Sequence, residues 1–262
     1  MVARVLRPAG IALFLASISV ACNERVYVGS DIIWSAGHES GDLSEWANGA
    51  GGADNSGEDE GSVAVSEERA HGGRFALKLE KTVDTSSIAR GGGPRLARVG
   101  LPEEAFYSAW YFVPQAYQTH SYWTIMQFDS LTMTNAVYDR GIDLQLRSLP
   151  DGALVLQALF HNEAYLLSPL TNPVPTIPIG RWFHVEVEFR AATDATGKML
   201  VWLDGRRVYE LSGRPTVEPT SLEFMVSSLL FDLEPSPVEL YVDDVVISRS
   251  RTSPEGRLTT SQ

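Results

Sequence analysis

Residues 182–211 read WFHVEVEFRAATDATGKMLVWLDGRRVYEL, and their pattern decides the fold. Phe183, Val185, Val187 and Phe189 alternate with His184, Glu186, Glu188 and Arg190. That period of two is the mark of a half-buried strand, with apolar side chains inward and polar ones outward. A second apolar run spans 199–203, Asp204-Gly205 follows, and a third run covers 208–211. Asp-Gly between two such runs favours a tight turn with positive φ, so the pair is expected to form a hairpin. Val185, Val187, Val201 and Leu203 should then be buried, and Glu186 and Glu188 exposed.

The same grammar extends in both directions. In 142–147, Ile142, Leu144 and Leu146 alternate with Asp143, Gln145 and Arg147, and Pro150-Asp151-Gly152 turns the chain into a further run at 153–161. Residues 106–113 are apolar on both faces, as in a central strand covered on both sides. Short alternating runs at 62–65 and 74–79 and a long one at 240–248 complete the set. Many strands at short intervals, joined by Gly and Pro turns, predict an all-β fold: a two-sheet antiparallel β-sandwich or jelly roll over residues 31–250. The segment 48–61, NGAGGADNSGEDEG, reads as a solvated loop whose acids match no calcium-loop spacing, and 251–262 reads as an exposed tail.

The N-terminus reads differently. Arg4 and Arg7 precede an apolar run, 11–20, that is too short to span a bilayer and ends in Ser19-Val20-Ala21-Cys22. Residues 1–21 therefore read as a signal peptide and 22–30 as a tether. Cys22 is the only cysteine, which removes an internal disulfide from consideration. The segment resembles a bacterial lipobox, departing at Ser19 where Leu is usual. The resemblance implies lipidation at Cys22 and an exported, membrane-anchored protein facing the periplasm or cell surface, touching the membrane only through that lipid. The formal net charge is −12, and the signal peptide carries away two arginines and no acid. Nucleic-acid affinity comes from clustered Lys and Arg, so nucleic acid is excluded as a partner.

Five stretches resemble the concanavalin A-like lectin/glucanase superfamily, and within it the heparin-lyase and alginate-lyase-like polysaccharide lyases. Residues 38–46 (HESGDLSEW) look like the family's opening FE-x-GDLS-x-W segment, and 71–77 (HGGRFAL) look like its G-x-x-A-L strand. Residues 107–114 (YSAWYFVP) resemble an aromatic strand ending in Pro, and 181–187 (RWFHVEV) resemble its G-x-WH strand before a VWLDG hairpin. Residues 123–129 (WTIMQFD) sit where the lyases carry Gln-x-His; here the third residue is Asp129. The lyases' R-x-E-x-R strand becomes Arg95-Leu96-Ala97-Arg98, and their Tyr-bearing late strand becomes 222–230 (LEFMVSSLL). The resemblance implies a jelly roll with polysaccharide held on its concave sheet.

Gln127 and Asp129, two apart, project from one strand face, where amide and carboxylate suit sugar hydroxyls. Gln145, Arg147, Gln157 and His161 have the phase to join them. Tyr165, Tyr122 and Trp123 offer aromatic planes to pyranose rings, while Trp110, Trp182 and Trp202 read as structural. His184 beside Trp182 is either a base or a surface histidine. Glu39, Asp243 and Asp244 are the acids that a structural calcium bridging first and last strands, implied by the jelly-roll resemblance, would use. The main reading is an envelope-anchored polysaccharide-binding lipoprotein. The alternatives are a polysaccharide lyase or glycoside hydrolase with divergent catalytic residues, and a structural or protein-binding envelope module. A tyrosine or histidine within reach of Gln127, such as Tyr165, His161 or Tyr138, is the feature that favours an enzyme.

Overall fold

The computed structural model describes residues 31–47, 53–56, 61–82, 92–130, 141–160, 165–217, 222–252, 254 and 258–259. Its first strands are β1 (Ile32–Ala36), β2 (Ala53–Ser56), β3 (Gly61–Ser66), β4 (Ala76–Lys81), β5 (Gly93–Arg98) and β6 (Glu104–Phe112). The middle of the chain gives β7 (Gln118–Ser130), β8 (Ile142–Ser148), β9 (Leu154–Phe160), β10 (Tyr165–Leu166), β11 (Trp182–Arg190) and β12 (Lys198–Leu203). After these come β13 (Arg206–Ser212), β14 (Leu222–Glu234), β15 (Val238–Ser248), β16 (Arg251–Thr252) and β17 (Leu258–Thr259). A single helical turn, α1 (Ser44–Ala47), follows β1. No helix among the described residues is long and apolar enough to cross a membrane.

Two antiparallel sheets pack face to face. One has the order β13-β12-β11-β6-β15-β4-β3, with β1 also paired to β15; the other runs β10-β9-β8-β7-β14-β5-β2. Strands far apart in sequence lie side by side, as in a jelly roll. The hairpin about Asp204-Gly205 forms as the sequence predicts, and β11 adds to it as a third strand. Val185 faces Leu203 and Val187 faces Val201 across β11 and β12, and all four are buried. Asp204 and Gly205 adopt φ of 48° and 77°, the doubly positive turn that matches strand twist. Pro150-Asp151-Gly152 closes the β8–β9 hairpin in the same spirit, with Gly152 at φ 84°.

The core lies between the sheets. Phe128 of β7 stacks on Phe189 of β11 at 4.4 Å between ring centroids, and Tyr107 of β6 meets Phe128 edge-on at 5.0 Å. Such ring pairs add to the apolar area that the two inner faces remove from water.

Three expectations need correction. Residues 53–56 are not loop but strand β2, paired to β5; the rest of that acidic stretch, 48–52 and 57–60, falls outside the described residues. Residues 251–262 are not simply an exposed tail, because Thr252 is buried. For the same reason Glu186 is fully buried, not exposed. Arg251 Nε donates to Glu186 Oε2 at 2.8 Å, and Thr252 donates to Oε1 from both its backbone N–H and its hydroxyl. β16 thus closes over the outer face of β11, while Glu188 stays half-buried against Lys198.

Candidate functional site

The two outer faces differ in chemistry. That of the eight-stranded sheet carries the rings of Trp110, Phe112, Trp182 and Trp202. His184 is there too, buried with its ring 5.1 Å from Trp110, on the opposite sheet from Gln127. The outer face of the seven-stranded sheet is polar at its centre.

Alternation and register assemble that centre. Ile142, Leu144 and Leu146 enter the core, so Asp143, Gln145 and Arg147 face out along β8. On β7 the pairing register shifts between Thr124 and Met126, a bulge in which Ile125 and Met126 are both fully buried. Trp123 therefore points inward, fully buried with Nε1 donating to Ser228 Oγ at 3.0 Å. This overturns the stacking role, because the bulge separates Trp123 from the face that Gln127 occupies. Across the strands Gln127 lies opposite Asp143, Thr124 opposite Gln145, and Gln145 opposite Gln157.

These residues form one hydrogen-bonded unit. Gln127 Nε2 donates to Asp143 Oδ1 at 2.9 Å, and Gln145 Nε2 donates to Asp143 Oδ2 at 3.1 Å. Gln145 Nε2 also reaches Thr124 Oγ1 at 3.3 Å, and that hydroxyl donates to Asp143 Oδ2 at 3.2 Å. All four residues are less than a tenth exposed, Gln127 at 5 % and Asp143 at 2 %. Asp143 is thus the hub of a site in which sequence reasoning placed Gln127 and Gln145 but neither Asp143 nor Thr124. Its outward phase beside Gln145 was the available signal.

One atom of the unit is left over. Gln127 Oε1 is buried and has no hydrogen-bond partner. Such an atom costs about 1–3 kcal/mol relative to a bonded one. Buried polar atoms are ordinarily hydrogen-bonded, so this acceptor is one that a water or a ligand donor can complete.

The other expected residues sit around this centre. Asp129 is half-buried opposite Glu223 of β14, and Arg147 is exposed opposite Val155. Gln157 and Val155 line an open pocket of about 510 Å³ together with Leu166, Ser168, Asn172 and Tyr209. Tyr122 is half-buried on β7. The backbone of Tyr165 lies on β10, paired opposite Phe160 at the sheet edge. His161, Tyr138 and Cys22 lie outside the described residues. Gln127 makes its hydrogen bond to Asp143 and to no tyrosine or histidine among the described residues.

Glu39, Asp243 and Asp244 do not assemble a calcium site. Glu39 Oε1 accepts the backbone N–H groups of Arg74 and Phe75 at 2.9 and 3.0 Å. Asp243 Oδ2 accepts those of His71 and Gly72 at 2.8 and 3.1 Å, and Asp244 Oδ2 meets His71 Nδ1 at 2.7 Å. Calcium takes six to eight oxygens; here the carboxylates already face N–H donors, so the donor set does not fit the ion. Among the described residues no group of three or more His, Cys, Asp and Glu is arranged to hold a metal. Burial, reinforced by neighbouring Asp244 and opposed by His38 and the Gly72 N–H, pushes Asp243 above the usual carboxylate range. The acids serve as backbone locks. Gly73, at φ 61°, has no room for a Cβ, which would stand 2.3 Å from the Glu39 carboxylate.

Solved structures share this architecture. An endo-beta-1,4-glucuronan lyase from the fungus Trichoderma reesei superposes with a TM-score of 0.59 at 17% identity, over 77% of this chain and 92% of that one. The cellulose-induced protein Cip1 gives 0.59 at 15%, over 84% and 98%. The alginate lyase vAL-1 from Chlorella virus gives 0.54 at 12%, over 84% and 100%. At these identities the likeness is one of fold. No curated protein matches the sequence. A family model described as polysaccharide lyase matches residues 38–222, a span that runs from the opening His38 motif through the Gln127–Asp143 unit to the start of β14. The chain belongs to the polysaccharide lyase family.

Proposed function

We propose that this protein is a polysaccharide lyase that holds its glycan along the outer face of the seven-stranded sheet and cleaves it at a uronic acid. The observation that carries the reading is the buried unit of Gln127, Asp143, Gln145 and Thr124, open at Gln127 Oε1, within the segment matched by the family. Glucuronan and alginate, named for two proteins of similar fold, are both uronate polymers, which supports that substrate class. In β-elimination a base takes the proton α to the uronic carboxyl, and that electron pair forms the ring double bond. The glycosidic C–O bond at C4 breaks as that double bond forms, and the departing oxygen takes its electron pair and a proton. The new double bond absorbs in the ultraviolet. Incubation with glucuronan and alginate should therefore give rising absorbance, and a flat trace on every uronate polymer would remove the lyase reading.

A second reading, glycan retention without cleavage, is favoured by the Gln127-Phe128-Asp129 sequence, which lacks the histidine of the family's Gln-x-His. It predicts binding on the same face with no new absorbance.

We further propose that the protein is exported and tethered by a lipid on Cys22, supported by its place directly after the apolar run. Mass spectrometry of the membrane fraction should find a diacyl or triacyl chain beginning at Cys22. A soluble protein cleaved elsewhere, with a free thiol, would contradict this.

A further inference from the structure

We propose that the open pocket beside β9 binds a neutral acyl ester carried by the glycan, so that the protein favours an O-acylated uronate polymer over the bare one. The inference rests on the glycan lying along the outer face of the seven-stranded sheet. It deepens that reading by naming a substituent that the face accepts.

The pocket is built at the edge of that sheet. Leu154, Leu156 and Ala158 enter the core, so Val155 and Gln157 face out along β9. After β10 the chain leaves β9 and then returns to it. Leu167 N–H donates to the Ala158 carbonyl at 2.9 Å, and Ile177 N–H donates to the Leu154 carbonyl at 2.7 Å. Between these anchors, Leu170 N–H donates to the Val208 carbonyl of β13 at 2.8 Å, which ties the middle of the segment to the other sheet. Pro169, Pro173 and Pro175 lie within it and restrict its backbone further. The result is a pocket of about 510 Å³ whose wall is fixed by the fold, and a fixed wall spares the ordering cost of binding.

Its chemistry differs from that of the Gln127–Asp143 unit. Leu149, Val155, Leu166 and Val174 line it, and Gln157, Ser168 and Asn172 supply polar groups. The described residues that line it include no charged side chain. A carboxylate pressed into such a lining would lose water and gain no cation. An ester brings an apolar methyl group and a carbonyl that accepts a hydrogen bond. Leu149 and Leu166 are 39% and 43% exposed, so the rim holds apolar surface that a ligand can remove from water.

The pocket is continuous with the polar face. Gln157 lies opposite Gln145 across β8 and β9, and Arg147, exposed, lies opposite Val155. A sugar unit bound here places its acyl group against Leu149 and Leu166 and its ester carbonyl towards the half-buried Gln157 amide. Its own carboxylate stays outside, on the side of Arg147. The pocket exceeds an acyl group in size and falls in the range that takes a whole ligand unit.

The test varies the ester and nothing else. Whichever of glucuronan and alginate the protein retains better is used bare and after chemical O-acetylation, in affinity electrophoresis run in the cold. Wild type should be held about tenfold more tightly by the acetylated form, the scale of one buried methyl group and one hydrogen bond. Leu149→Ser with Leu166→Ser should bring that ratio close to one and leave retention by the bare polymer as in wild type. Both side chains are partly in water, so the fold survives their loss. Gln157→Leu should lower the ratio by only about threefold, because the apolar contact remains.

Equal retention of wild type by the bare and acetylated polymers would overturn the assignment and leave the glycan face standing. A preference undiminished in the double variant would overturn it too, since acetylation would then act elsewhere on the protein. If wild type is retained by neither polymer in either form, the glycan face falls and this inference with it. Sedimentation addresses the rival occupant. A wild-type dimer that Leu149→Ser with Leu166→Ser turns into a monomer, with the retention ratio unmoved, would assign the apolar rim to a second copy of this chain and overturn the ester site.

Discussion

Glu186 has no exposed surface, yet it bears a carboxylate on the outer side of a sheet. Burial pushes its pKa above the ordinary glutamate value, and Arg251 and the Thr252 donors oppose that rise. The sign follows from proton counting. Between the ordinary value and the raised one, the folded chain holds a proton that the unfolded chain has released, so the contribution of Glu186 to stability falls as pH rises through that window. Arg251 limits the loss. Breaking a buried pair costs roughly 3–5 kcal/mol, but Arg251 is 28% exposed, so Arg251→Ala should cost only about 2 kcal/mol near neutral pH. The deficit should shrink as acid protonates Glu186. Melting curves of both proteins across that range check this, and a deficit independent of pH would mean that Arg251 acts through its packing on Trp202 instead of its charge.

At the scale of elements, β12 and β13 form a hairpin about Asp204-Gly205, and β11 pairs with β12 so that both turn an apolar row inward. Val187 sits in the middle of that inner row, fully buried. Val187→Ala should lower stability by about 2 kcal/mol through lost burial and the cavity left behind. Denaturant unfolding measures it, and a loss under about 0.5 kcal/mol, the scale of an ordinary surface change, would show that the row does not pack as described. Such rows were legible in the sequence because alternation and turn chemistry are local. The bulge in β7 was not. Its cause is the pairing of β7 with β8 and β14, and without it Trp123 and Gln127 have the same phase. The covering of Glu186 was equally hidden, since Arg251 lies 65 residues away in sequence. Gln127 and Gln145 were legible as a shared polar face, whereas the central place of Asp143 depends on which strand lies beside which.

The molecule as a whole divides its work between two sheets. The eight-stranded sheet carries aromatic rings, backbone-locking acids and the returning β16 on its outer side. The seven-stranded sheet is left with a polar outer face whose central atom, Gln127 Oε1, lacks a partner. The core between them fixes the register that brings Gln127, Asp143 and Gln145 together, so the site should survive changes at its own residues without loss of fold. This makes the central claim testable with one assay, the ultraviolet absorbance of wild type and the Gln127→Ala, Asp129→Ala double variant on glucuronan and alginate. The account predicts that absorbance rises with wild type. The double variant should slow that rise at least tenfold, the equivalent of about 1.4 kcal/mol, and should also melt at a lower temperature while keeping the fold, because Gln127 is a buried donor to the Asp143 carboxylate. Equal rates from the two proteins, or no absorbance change from wild type on any uronate polymer, would contradict it.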